Sequence, residues 1–383
     1  MQSKKVDTLV QWWVTSKLPY HDIYELPLLI NKSPFAKYKH VFSQWIIHPI
    51  KRRLARWYLR FLQNTTDIKV IGITGSAGKT TTKEMLFAIL KNRGRSVCTK
   101  TYLDPVYNIP NTILSTPFGT KYLILEMGVE YPGEMDFYLW LAKPDIGIVT
   151  NIFLTHTEFL GSIEGVFREK SKLVFALDDK GVAVLNRDDK KLRSLSGKLK
   201  SKVVWFDSND DPLKQNANAA SAAAKALGAT DREVKEGIAT YHVPPHRLAL
   251  INHASGAKIL DDSYNSNPRA AISTLHYFNR LATGKKVAIL GDMLELGEFD
   301  EEAHRELGRE VAKFNFDIVI GVGRLSKFLI AEVKIASKKT ETHLVSTAME
   351  ARGLFESCLH KNTFILVKGS RSLGLDKLIQ AVS

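Results

Sequence analysis

Residues 70–85, V-I-G-I-T-G-S-A-G-K-T-T-T-K-E-M, constrain what this chain can fold into more than any other stretch. Val70, Ile71 and Ile73 make the apolar run of a parallel strand covered on both faces. Thr74, Gly75, Ser76, Ala77 and Gly78 follow as a turn whose backbone N–H groups converge on one small concavity, and Lys79 sets a cation beside it. The helix expected to start at Thr80 aims its positive dipole end at the same point. This is a phosphate cradle of the short T-G-x-x-G-K-T form, with Ile73 where the longer P-loop pattern has a glycine. Thr80 or Thr81 supplies a hydroxyl to the Mg²⁺ that accompanies a nucleoside triphosphate.

A chain of 383 residues can bury more than one core, and its 44% hydrophobic and 25% charged content is that of a globular protein, not a disordered or fibrous one. Cys98 and Cys358 stand far apart without metal-ligand spacing, which favours a reducing compartment. With no apolar run of membrane-spanning length and no signal-peptide pattern, a cytoplasmic location is expected. The net charge of +14 is concentrated: residues 1–65 hold eleven Lys or Arg against three Asp or Glu. An anionic membrane surface, an anionic substrate or nucleic acid could each answer such an arm. Walker B and helicase-type signals are absent, so nucleic acid is not expected as a partner.

Within that arm, residues 50–62 read as a basic amphipathic helix, with Ile50, Leu54, Trp57, Tyr58, Phe61 and Leu62 on one stripe and Lys51, Arg52, Arg56 and Arg60 on other faces. Trp12, Trp13, Trp45 and Trp57 enrich it further. A helix packing its stripe on the next domain has this pattern, and so does a helix lying in a membrane interface.

Residues 122–128 make a second buried strand that ends in Glu126, a candidate Mg²⁺ ligand at the carboxyl edge of an open sheet, where ligands collect. The strand at 146–152 delivers Asn151 to the same edge and is followed by His156. On the next helix Lys170 or Lys172 could turn toward the nucleotide. Strands at 181–189 and 203–206 and an alanine-rich helix at 216–227 lead to H-V-P-P-H at 242–246, whose prolines stiffen an extended connection. Beyond it, strands at 257–262, 286–292, 316–321 and 363–368 alternate with helices, the rhythm of a doubly wound domain. It carries no G-x-G-x-x-G, so a dinucleotide is not expected there. The expected organisation is α/β: a basic, Trp-rich helical region at 1–65, a P-loop-type ATP-binding domain with a mostly parallel sheet at 66–243, and a Rossmann-like domain at 244–383.

The blocks T-G-S-A-G-K-T-T-T-K-E-M (74–85), E-M-G (126–128), N-I-F-L-T-H (151–156) with Gly161-Ser162, D-D-S-Y-N-S-N-P (261–268), G-D-M-L-E-L-G (291–297) and K-G-S-R (368–371) resemble those of the Mur ligases, in the family's order from about residue 67 to the C-terminus. Within the family they are most similar to the members that add D-alanyl-D-alanine. The resemblance implies an ATP-dependent amide-bond ligase acting through an acyl phosphate, in peptidoglycan precursor synthesis. Its substrates would be a UDP-linked muramoyl peptide, or a related carboxylate acceptor, and a D-alanyl-D-alanine-like amine.

The resemblance also implies roles for single residues. Lys79 and Mg²⁺ neutralise phosphates, with Thr80 and Glu126 on one metal ion; His156 helps hold a second, and Lys170 matches a lysine that is carbamylated. Asn267 and Asp292 match adenosine contacts, Arg247 an arginine that closes on the phosphates, and Asn151, Ser370 and Arg371 are candidates for substrate. Two stretches depart from the family: residues 1–65 match no UDP-sugar-binding domain, and the region between residues 189 and 216 is shortened. The arm could therefore serve as a substitute uridine-diphosphate site or as a peripheral anchor at the inner face of the membrane. Mur-type chemistry on another acceptor and a non-ligating nucleotide-binding scaffold remain the other readings. Retention of Lys79, Thr80, Glu126, His156 and Lys170 together argues against loss of ligation.

Overall fold

The structure is a computed structural model that describes residues 33–382, so Trp12, Trp13 and the basic residues up to Lys32 lie outside the described residues. The chain divides into two compact units, the first built from residues up to Ile152 with Glu164–Ser208 and Asn216–Tyr241, the second from Phe153–Ile163, Asn209–Gln215 and the chain from His242 onward. Residues 153–163 and 209–215, inside the stretch assigned above to the central domain, thus group with the second unit.

The first unit opens with one continuous helical run: α1 (Pro34–Phe42), a π turn (Ser43–Ile47) and α2 (His48–Thr65). Ser33 caps it by accepting from the Ala36 N–H at 3.3 Å, with Pro34 in the first turn, where a missing N–H costs nothing. There follow β1 (Lys69–Thr74), α3 (Lys79–Leu90), β2 (Ser96–Cys98), α4 (Pro105–Leu114), β3 (Tyr122–Glu126), α5 (Glu134–Leu141), β4 (Ile146–Val149), α6 (Ile163–Phe175), β5 (Val182–Asn186), β6 (Lys202–Phe206), α7 (Pro212–Ala226) and α8 (Asp231–Ala239). The strands form one parallel sheet in the order β2-β3-β1-β4-β5-β6. β1 lies in the middle because Val70 to Thr74 are all buried, as two covered faces require. Ile73 stands opposite Glu126, and Thr74 opposite Val149, so the glycine turn, Glu126 and Asn151 leave the sheet at one edge.

The N-terminal helix packs by a different face from the one the sequence pattern indicates. The side buried in α2 is Pro49, Arg52, Ala55, Leu59 and Leu62. Of the expected stripe only Leu62 is buried and Tyr58 half-buried, its hydroxyl donating to the Thr116 carbonyl at 2.7 Å; Ile50, Leu54, Trp57 and Phe61 face outward. Arg52 can turn inward because its guanidinium lies over the rings of Tyr107 and Phe137, at 5.9 and 5.4 Å, which compensates a buried cation in a way that periodicity does not register. Burial of Leu59 and Leu62 contributes about 1.5–3 kcal/mol each toward docking the helix.

The second unit contains β7 (Ala249–Asn252), β8 (Lys258–Asp262), α9 (Pro268–Leu281), β9 (Lys285–Gly291), α10 (Asp300–Ala312), β10 (Ile318–Val322), α11 (Ser326–Ala336), β11 (Glu341–Val345), α12 (Ala348–Glu356) and β12 (Thr363–Lys368). Its sheet runs β11-β10-β9-β12-β8-β7, parallel except for the β7–β8 pair. Alternation along β9 and β12 sends Ala288, Leu290, Phe364 and Leu366 into a core with α9, α10 and α11. Val287, Ile289, Ile365 and Val367 go into the opposite core with α12. Apolar cores on both faces make the sheet doubly wound, as its rhythm of strands and helices indicates.

Candidate active site

The turn between β1 and α3 has the backbone that its glycines permit. Gly75 has φ 146° and Gly78 φ 80°, and a Cβ at either would come within 1.9 Å of Thr150 Oγ1 and 2.1 Å of Asn216 Oδ1 respectively. The end of β4 braces the turn. The Ser76 N–H donates to the Asn151 carbonyl at 3.0 Å, the Ala77 N–H to Asn151 Oδ1 at 2.8 Å, and Asn151 Nδ2 and Thr150 Oγ1 donate to the Ala77 carbonyl at 3.2 and 2.6 Å. Asn151, expected at substrate, therefore gives its polar atoms to the loop. Lys79 begins α3 and its Nζ donates to the Gly75 carbonyl at 2.9 Å. Thr74 Oγ1 is buried without a partner among the described residues, and Thr81 is buried in the first turn of α3.

The sequence-predicted metal ligands Thr80 and Glu126 meet: Thr80 Oγ1 donates to Glu126 Oε1 at 2.9 Å. These are hard oxygen donors at the mouth of the glycine turn, the donor set suited to Mg²⁺. Lys83, given no role by sequence reasoning, is fully buried behind them. Its Nζ lies 3.7 Å from Glu126 Oε2 and 2.9 Å from Glu84 Oε1 and donates to the Thr99 carbonyl at 2.7 Å, while Thr99 Oγ1 accepts from the Glu126 N–H at 3.0 Å. One turn of helix beyond Lys79 places it there, a spacing that could have singled it out.

Lys170 projects from α6 into the first unit and is fully buried, with Nζ unpartnered among the described residues. Burial, and after it the Lys79 cation, hold its amine well below the ordinary lysine range, against the pull of Glu134, Glu169 and Glu130. Lys172, the other lysine considered, is engaged instead with Asp136 and Glu169, both at 2.6 Å. Two carboxylates fix the neighbouring loop. Glu169 Oε1 accepts from the Gly133 and Met135 N–H groups at 3.0 Å each, and Glu134 Oε2 from the Glu130 and Tyr131 N–H groups at 2.7 and 3.2 Å. Burial pushes the Glu134 carboxyl up to about 8 despite those bonds.

In the second unit His156 has a left-handed backbone, φ 52°, and its Nδ1 lies 2.5 Å from Glu295 Oε2, which holds the Glu295 carboxyl below its usual value. Arg247 stands between two further left-handed residues, His246 and Leu248, and its guanidinium lies 3.9 Å from the centre of the Tyr264 ring. Arg371 approaches the same ring at 5.4 Å and pairs with Asp376 at 2.9 Å, so Tyr264 is a platform for two guanidinium groups. His246 Nδ1 is anchored 2.8 Å from Asp261 Oδ2, and Ser263 Oγ donates to Asp261 Oδ1 at 2.7 Å. Asn267 caps α9, accepting from the Ala270 N–H at 2.9 Å. Asp292 is buried at the start of α11, accepting from the Leu325 N–H, the Ser326 N–H and Ser326 Oγ at 3.0, 2.7 and 2.8 Å. Ser370 Oγ accepts from the Leu294 N–H at 3.0 Å. Glu295 and Tyr264 carry no role in the sequence reading, although both fall inside the motif blocks quoted there.

The first unit therefore offers a polyphosphate cradle with a cation, a pair of hard oxygen donors and a buried amine of lowered basicity. Residues 73–244 match the Mur ligase middle domain, and residues 246–371 the Mur ligase, glutamate ligase domain. The chain is 31% identical over 363 residues to the UDP-N-acetylmuramoyl-tripeptide–D-alanyl-D-alanine ligase of Bacillus subtilis (strain 168), covering 86% of this chain and 78% of that one. It superposes on a crystal structure of MurF from Acinetobacter baumannii with TM-score 0.77 at 25% identity, covering 88% of this chain and 80% of the other. On the MurF ligase of Thermotoga maritima in complex with ADP the TM-score is 0.76 at 25% identity, covering 87% and 82%.

Proposed function

The chain belongs to the Mur ligase family, and from that premise we propose that it joins D-alanyl-D-alanine to the free carboxylate of UDP-N-acetylmuramoyl-tripeptide, with ATP converted to ADP and phosphate. The observation that carries the nucleotide half is the Thr80–Glu126 pair beside the braced glycine turn and Lys79. The acceptor and the amine come from the named relatives.

The chemistry asks two anions, a carboxylate and a γ-phosphate, to meet. A carboxylate oxygen bonds to the γ-phosphorus as the bond to ADP breaks; the amine then bonds to the acyl carbon, phosphate leaves, and the amine gives up a proton. Positioning and cationic charge do most of this work. Backbone N–H groups of the turn and Lys79 take the polyphosphate. Thr80 and Glu126 would hold Mg²⁺, and Lys83 behind Glu126 fixes the carboxylate's direction. When bound, Mg²⁺ supplies positive charge that lowers the repulsion between the two anions.

Lys170 is a carbamate in the working enzyme. An uncharged amine attacks CO₂ and releases a proton, and the oxyanion formed would offer oxygen to a metal ion; the orphaned Nζ and its depressed basicity support this reading. His156, held by Glu295, would help hold a second Mg²⁺, and Arg247 would serve as a cation for phosphate. The work is done in the cytoplasm, with peripheral attachment at the inner face of the membrane through the basic N-terminal region.

The test is ADP release by the purified protein with Mg²⁺-ATP, D-alanyl-D-alanine and UDP-N-acetylmuramoyl-tripeptide, omitting each in turn. Release that needs all three, with a product heavier by the dipeptide and with Lys79→Ala inactive but folded, is expected. Release independent of the tripeptide would reject this acceptor, and full turnover by Lys79→Ala would reject the cradle. Incubation with ¹³C-bicarbonate should give a carbamate carbon resonance that Lys170→Met lacks.

A further inference from the structure

The outward side of the N-terminal helical run is an apolar surface without cover. In α1 it consists of Phe35, Tyr38 and Phe42, and in α2 of Ile50, Leu54, Trp57 and Phe61; Phe35 is 77% exposed, Leu54 53% and Trp57 71%. Phe118, 60% exposed, extends it sideways, its ring 6.4 Å from that of Phe61. Single exposed apolar side chains are ordinary, but a continuous row of them marks a binding surface.

The π turn is what makes the row continuous. From Phe42 to Ile50 is eight positions, which at 3.6 residues per turn overshoots two full turns by about 80° and would throw the two halves onto different sides. The π turn at Ser43–Ile47 takes in one extra residue, a rotation of about 100°, and brings the α2 residues back into line with those of α1. The same turn sets Gln44 inward, where its Nε2 donates to the Tyr107 hydroxyl at 2.9 Å, so one device serves both faces of the run.

Charge identifies the occupant. Between Ser33 and Thr66 there is no Asp or Glu, while Lys37, Lys39, Lys51, Arg53, Arg56 and Arg60 are all there and Arg52 is the one cation turned into the core. An acid-free basic helix with aromatic and aliphatic residues on its free face matches a bilayer interface bearing anionic headgroups. We propose that this face is a lipid-binding surface: α1 and α2 lie parallel to an anionic membrane, with the Phe35–Phe61 row in the acyl boundary and the flanking Lys and Arg at the phosphates. No helix among the described residues is long and apolar enough to cross a membrane. The lipid contact rests on the membrane half of the functional reading and not on the ligation chemistry.

The experiment is co-sedimentation of the full chain with vesicles of phosphatidylglycerol and phosphatidylcholine, against vesicles of phosphatidylcholine alone, at low and at 0.5 M salt, a concentration at which the screening length is only about 4 Å. Wild type should partition at least about tenfold more strongly onto the anionic vesicles at low salt and lose most of that at high salt, since headgroup attraction is screened. Leu54→Asp with Trp57→Asp, both on the solvent side, should lose vesicle binding while ADP release with soluble substrates stays as in wild type. Wild type remaining in the supernatant would overturn the proposal, as would equal pelleting of the double variant. Wild type that fails to bind until residues 1–32 are removed would assign the face to the chain's own N-terminus. A wild-type dimer that the double variant converts to monomer without change in vesicle binding would assign it to a second copy.

Discussion

Replacing Lys170 with methionine should make the protein more stable and useless as a ligase. The methionine side chain fills nearly the same volume as the lysine stem, so no cavity opens in the fully buried site. What disappears is an amine buried without a hydrogen-bond partner, and an unmade buried bond costs about 1–3 kcal/mol. At about 1.2 °C per kcal/mol for a chain of this size, the melting temperature should rise by roughly 1–4 °C. The measurement is thermal unfolding in CO₂-depleted buffer, so that carbamate formation does not fill the site, followed by ADP release in bicarbonate. A pH series adds an independent check. The folded-state pKa of Lys170 lies below its unfolded value of 10.5, so between the two the unfolded chain binds more protons and wild-type stability rises with pH. The stability is fully present above 10.5 and is lost as pH falls toward the folded pKa, so the advantage of Lys170→Met should shrink as pH is raised toward 10.5. A variant less stable than wild type at neutral pH, or one that ligates normally, would refute the reasoning.

Glu134 gives the opposite pH signature. Its carboxyl is raised from 4.5 to about 8, so the folded chain holds the extra proton and stability is fully present below 4.5 and lost as pH rises through 8; urea midpoints should fall across that window, and Glu134→Gln should flatten the slope. Lys368→Met should be strongly destabilising, by about 3–5 kcal/mol, because it strands the Asp262 carboxylate that sits 2.6 Å from Lys368 Nζ; chemical denaturation measures it. Lys83→Met should lower ligation while leaving nucleotide affinity within about threefold, because it frees Glu126 without touching the glycine turn; kcat and the Kd for ADP separate the two.

The elements legible in the sequence were those under one dominant constraint. β1, β3, β4 and β12 are buried on both faces and read as unbroken apolar runs, and the glycine turn is dictated by its own backbone. β2, β7 and β11 escaped notice because they lie at sheet edges and are short or mixed in polarity: Ser96–Cys98 and Ala249–Asn252 run to three and four residues, and Glu341–Val345 mixes three polar with two apolar side chains. Of the two readings of the α2 stripe, the packing one fails because it equates an apolar stripe with the buried side. Arg52 shows the limit of that rule, since two aromatic rings supplied by α4 and α5 decide its burial and neither is near it in sequence. The polar anchoring of Asn151 and Asp292 is likewise tertiary: each is fixed by backbone N–H groups more than thirty residues away.

Buried charge separates the two kinds of residue that motif blocks carry. Lys368 sits against Asp262 and the Asn265 carbonyl, and Asp292 receives three hydrogen bonds at the start of α11. Both are satisfied by the fold itself, as structural polar groups are. Lys170 lies as deep and has no such partner, and Glu134 stays protonated near neutrality although two N–H groups point at it. A fully buried amine left without a hydrogen bond among the described residues retains a local instability, which is the pattern expected where a site waits for a ligand. The same replacement, lysine to methionine, should therefore change stability in opposite directions at residues 170 and 368. That difference in sign, more than either value alone, distinguishes a residue kept for chemistry from one kept for the fold.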